Sequence, residues 1–93
     1  MESKKIYVIV HETSVGDHDY NVTFDYAYIS RGDAIKEVAE LKSLIIYDWQ
    51  FRGNFAYKFE IDAEDIFEIR EINGSVSECV YINEMRLINS QAE

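Results

Sequence analysis

The sequence predicts an α+β domain, an antiparallel sheet of four to five strands with one long helix on one face, in the order β-β-α-β-β-β. Three observations carry that prediction. Phe55, Tyr57, Phe59 and Ile61 alternate with Ala56, Lys58, Glu60 and Asp62, the period of two of a strand with one buried side. Ile35, Val38, Leu41, Ile45 and Trp49 recur at spacings of three and four, the pattern of an amphipathic helix. Asn73-Gly74 sits between two β-rich runs, the strongest short hairpin signal, because both residues tolerate positive φ.

Taken in order, Lys5 to His11 is β-branched, aromatic and apolar on both alternating faces, which predicts a central strand. Glu12 to Tyr20 collects Ser, Gly and Asp and predicts a hairpin loop. In Asn21 to Ile29, Val22, Phe24, Tyr26 and Tyr28 fall on one face and Thr23, Asp25 and Ala27 on the other, a second strand with one wet side. Ser30, with Asp33 three residues on, supplies a helix cap, and Gly53-Asn54 ends the helix. Phe55 to Asp62 is the third strand. With a two-residue turn at Asn73-Gly74, Phe67 faces Val80 and Ile69 faces Glu78, so Phe67, Ile69, Val76 and Val80 share a face. A short helix from Ala63, capped by Asp62, competes with the strand over 63–72, and the tail from Asn83 is a last strand or a helical turn.

With 93 residues the chain has room for a single domain over 1–93. Lys plus Arg number 9 against 18 Asp plus Glu, a net charge of -9, which repels phosphate backbones and argues against direct nucleic-acid binding. The partner expected is a protein with a basic surface. A single cysteine, Cys79, excludes an internal disulfide and a thiolate metal site. The five apolar residues Ile6 to Val10 are too few for a signal core or a membrane span, so the expectation is a cytoplasmic protein with no membrane partner.

Six acids, Glu60, Asp62, Glu64, Asp65, Glu68 and Glu71, fall within twelve residues, opposed there by Arg70. Paired carboxylates at strand spacing suit glycoside hydrolysis, but a chain this small leaves little for a sugar cleft once its core is built. A calcium loop over Asp62 to Asn73 lacks the central glycine. The run reads either as a solvated strand edge that discourages aggregation, or as an anionic face that enters a basic groove normally holding nucleic acid. A second candidate surface is Leu44, Tyr47 and Phe51, which continue the line of the polar residue Glu40 rather than the core stripe. The loop after the helix or the C-terminal tail covers it, or it binds a partner.

His11-Glu12 and Asp17-His18-Asp19 flank the first loop, but their spacing is unspecific for metal, and no metal or cofactor is expected. His11 alone is a weak acid-base candidate at a strand end. Cys79 has no neighbouring cation in sequence to activate it and reads as inert. The seven tyrosines read mostly as half-core.

Ile6-Tyr7-Val8-Ile9-Val10-His11, an acidic loop, then Tyr26-Ala27-Tyr28-Ile29-Ser30 leading through Asp33-Ala34 into the helix, resembles small bacterial and phage domains in which a hydrophobic hairpin precedes a Ser-capped helix. The likeness covers about half the chain and rests on strand and cap positions, so it implies a fold and no activity. Size and acidity are similar to those of phage-encoded inhibitors of host defence, anti-CRISPR proteins among them. The function expected is therefore a non-enzymatic acidic protein-binding module, an inhibitor that blocks a basic nucleic-acid-binding groove through Glu60, Asp62, Glu64, Asp65, Glu68 and Glu71. The alternative is a small regulatory or ligand-binding domain that forms a homodimer through Leu44, Tyr47 and Phe51.

Overall fold

The computed structural model describes residues 2–16, 19–53 and 56–89. The elements β1 (Glu2–Val15), β2 (Asp19–Tyr28), α1 (Arg31–Phe51), β3 (Tyr57–Asp62), β4 (Ile66–Glu71) and β5 (Val76–Asn89) follow in the predicted order. The five strands form one antiparallel sheet, β2-β1-β5-β4-β3, so the first and last strands of the chain pair at its centre. α1 lies over β1 and β5 on one face. No helix among the described residues is long and apolar enough to cross a membrane.

The helix starts where its chemistry dictates. Ser30 is extended, and its Oγ accepts from the Asp33 N–H at 3.3 Å, satisfying a donor the first turn leaves free. Arg52 caps the other end, and Gly53 follows with φ of 83°, a left-handed conformation that glycine adopts without steric cost. Between the caps, Ala34, Val38, Ile45 and Trp49 meet Ile9, Phe67, Ile69 and Val80 of the sheet in one core. Each large side chain buried there contributes about 1.5 to 3 kcal/mol. Trp49, Tyr57, Phe59 and Phe67 continue the core under β3 as successive edge-on ring pairs 5.9 to 6.4 Å apart.

The β4–β5 register is the predicted one, with Phe67 opposite Val80 and Ile69 opposite Glu78, and 66–71 is strand rather than helix. The turn is built differently. Neither Asn73 nor Gly74 has positive φ. Instead the Glu71 carboxylate folds across the turn and accepts from the Val76 N–H at 3.2 Å. A Cβ on Gly74 would sit 1.9 Å from that carboxylate, so the glycine lets the Glu71 side chain lie across the turn, and any larger residue there displaces it.

Two one-residue slips correct the predicted faces. β2 slips against β1 between Phe24 and Ala27, so Val22 and Phe24 lie on the helix-free face while Tyr28 reaches the helix and donates to Glu37 at 3.1 Å. β3 slips against β4 at Glu60, so Tyr57 and Phe59 face the helix but Ile61 does not. β1 and β5 are also longer than their apolar centres, running to Glu2 and Asn89, and Glu12 to Val15 belongs to β1 rather than to the loop. Phe55 and His18 lie outside the described residues.

Candidate functional site

The six acids of the run do not share a face. Strand alternation puts Glu68 on the helix-free side of β4 and Glu71 on the helix side, where it caps the turn. Glu60 sits at the slip in β3 beside Lys58 at 2.8 Å, and that ammonium draws its carboxyl below the usual range. Asp62 pairs with Lys42 of α1. Glu64 and Asp65, in the β3–β4 loop, reach Arg31 at 3.7 and 3.1 Å. Glu68 pairs with Arg70 at 3.2 Å. The structure thus gathers Asp62, Glu64 and Asp65 beside the first half of α1, with Lys42 and Arg31 set against them.

The other flank of α1 carries a continuous stripe. Asp33, Glu37, Glu40, Leu44, Tyr47 and Phe51 follow one another at spacings of three and four, acidic in the first half and apolar in the second. Glu37 bonds Tyr28 of β2 while Lys42 bonds Asp62 of β3, so the stripe and the β3 acids lie on opposite sides of the helix. Leu44, Tyr47 and Phe51 are 63, 67 and 76% exposed, and the rings of Tyr47 and Phe51 stack with centroids 6.2 Å apart. Nothing among the described residues covers this apolar half.

A polar cluster is set into the helix side of the sheet. His11, in the middle of β1 rather than at a strand end, places Nε2 2.7 Å from Glu78 and Nδ1 3.8 Å from Asp25. The Trp49 indole N–H donates to the second Glu78 oxygen. The Glu78 hydrogen bond outweighs burial and raises the His11 pKa above its ordinary value. Because Glu78 and Asp25 flank opposite ring nitrogens, the imidazole is clamped between charges. Among the described residues no three His, Cys, Asp or Glu side chains are placed to hold a metal.

The sequence hid this cluster because His11 and Glu78 are 67 residues apart. One signal was available. The predicted register puts Glu78 on the same face as Val80 and Phe67, and a carboxylate on a core face needs a partner.

On the opposite face, Cys79 stands across from Glu68 with Glu12 nearby. Burial and those two carboxylates push its thiol up to about 11, so it is protonated at neutral pH. Tyr81 donates to Glu12 at 2.7 Å, and that bond pushes the phenol up to about 12. Glu12, Tyr20, Glu68, Arg70 and Cys79 border a shallow depression of about 280 Å³.

Comparison with family models, with curated proteins and with solved structures finds no match to this chain.

Proposed function

We propose that the chain is a non-enzymatic protein-binding module that docks by the outward stripe of α1. The observation that carries this reading is the exposed, stacked pair of Tyr47 and Phe51 beside Leu44, in line with Asp33, Glu37 and Glu40. A large aromatic ring held on a rigid helix is a low-entropy anchor, and an amphipathic helix laid in a groove is read through residues three and four apart. The partner that fits has a groove apolar at one end and basic at the other. A groove of that kind also accepts phosphate backbones, so the module would act as an inhibitor of a nucleic-acid-handling protein by occupying it. The net charge of -9 supports the same partner, because it steers the chain toward basic surfaces at long range.

Glu60, Asp62, Glu64 and Asp65 enter this reading only through that field, since Lys58, Lys42 and Arg31 already oppose them. The test is capture of a basic protein at low salt, followed by affinity measurement with two double variants. Tyr47→Ser with Phe51→Ser weakens binding by roughly 30-fold or more with an unchanged circular dichroism spectrum. Glu64→Lys with Asp65→Lys changes mainly the association rate and its salt dependence. If the acid reversal abolishes binding while the aromatic variant binds normally, the docking surface is the β3 end and the stripe reading fails. Failure to retain any basic protein at low salt defeats it as well.

A further inference from the structure

Among the described residues a single helix covers one face of a five-stranded sheet, and no second layer lies on the other face. Strand alternation assigns Val8 of β1, Val22 and Phe24 of β2, Ile66 of β4 and Tyr81 of β5 to that face, with Val10 already buried among its neighbours at 1% exposure. Phe24 is 69% exposed, and Met85, also on this side of β5, is 48% exposed. A solvated antiparallel face normally shows polar residues at these positions.

We propose that this helix-free face binds a second copy of the chain, sheet against sheet, about a twofold axis. Three features select a second copy. The first is charge. The chain as a whole carries -9, but among the side chains described on this face Glu12, Glu60 and Glu68 stand against Lys4, Lys58 and Arg70. Two such faces meet without the repulsion the rest of the surface would impose, and a twofold operation can bring acids of one copy near cations of the other.

The second is area. With strands about 4.8 Å apart and a rise of about 3.3 Å per residue, the ten-residue span shared by β1, β2 and β5 plus the six residues of β3 and β4 covers about 650 Å². Two copies would together bury about 1,300 Å², inside the range of stable specific interfaces.

The third is the state of the edges. Both edge strands, β2 and β3, carry a one-residue slip, which twists an edge away from ladder pairing. Copies therefore meet by faces, with side chains of the two inner surfaces interdigitating and strands crossing at about 30° as in a sandwich.

This proposal does not rest on the reading of the α1 stripe. In the face-to-face pair the helices lie on the outside, where both stripes remain free. The test is sedimentation equilibrium over a concentration series, from about 1 to about 100 µM. The expected result is a reversible dimer of the 10.9 kDa chain. Phe24→Glu and Met85→Lys, both at exposed positions that fold tolerates, each weaken dimerisation by roughly 30-fold or more. Tyr47→Ser with Phe51→Ser leaves it unchanged. A monomer across the whole series overturns the proposal. So does a dimer that survives Phe24→Glu, or one lost in the Tyr47 and Phe51 variant.

Discussion

Replacing Glu78 with alanine removes the acceptor that Trp49 and His11 share. Trp49 is 2% exposed, so its indole N–H has no water to turn to, and a buried donor left unpaired costs about 1 to 3 kcal/mol. The bond to His11 is charge-assisted, but the imidazole is 22% exposed and water replaces part of what is lost. The sum expected for Glu78→Ala is about 2 to 4 kcal/mol. Glu78→Gln keeps an acceptor for the indole and loses only the charge, so about 1 kcal/mol is expected. Trp49 is the sole tryptophan, so urea unfolding followed by its fluorescence reports from inside the cluster.

The pH dependence adds a second readout. His11 has a raised pKa in the folded chain, so its contribution is fully present below the unfolded value of 6.5 and is lost as pH rises through the folded value. The stability gap between the native chain and Glu78→Gln therefore narrows as pH rises above 6.5 and through the raised folded value. The reasoning is refuted if Glu78→Ala costs under about 0.5 kcal/mol. A gap that stays constant or widens with pH refutes it too.

Two further outcomes are expected. Cys79, with its thiol pushed up to about 11, reacts with a disulfide reagent at about pH 8 roughly 100-fold more slowly in the folded chain than in urea, and equal rates would show that burial, with Glu68 and Glu12 beside it, does not suppress the thiolate. Gly74→Ala drives the Glu71 carboxylate off the Val76 N–H and costs about 1 kcal/mol, whereas in a Glu71→Ala background the same change costs much less; full additivity by denaturation would remove the close-approach explanation.

The architecture was legible where local chemistry acts alone. Ser30 with Asp33, the core stripe from Val38 to Trp49, and the β4–β5 register each follow from neighbours within a few residues, and all three stand in the structure. What misled was the assumption of unbroken alternation. One extra residue in β2 and another in β3 turned Tyr28 inward and Ile61 outward, and a slip of one residue has no signature in hydrophobicity alone. The reach of β1 and β5 was hidden for a related reason. Lys4, Lys5, Asn83, Glu84 and Arg86 are polar, yet they pair as a ladder that extends beyond the helix-covered core. The stripe of α1 was half legible: Leu44, Tyr47 and Phe51 stood out, while Glu37 and Asp33 joined them only once the helix was seen to turn that flank toward β2. The clustered acids were the clearest signal in the sequence and the poorest guide to geometry, because proximity along a chain that reverses at 63–65 places neighbours on different surfaces.

The central pairing of β1 with β5 sets the order of assembly. Glu2 is matched to Asn89 and Val15 to Val76, so every rung of the middle ladder joins residues from opposite ends of the chain. Closing such long loops is entropically slow, and the local hairpins β1–β2 and β3–β4 can form first. A nascent chain holding only the first four strands presents two half-sheets with unpaired inner edges, one on β1 and one on β4. Until β5 emerges and is inserted between them, those edges are the segment of the folding pathway most exposed to capture by chaperones or by neighbouring chains.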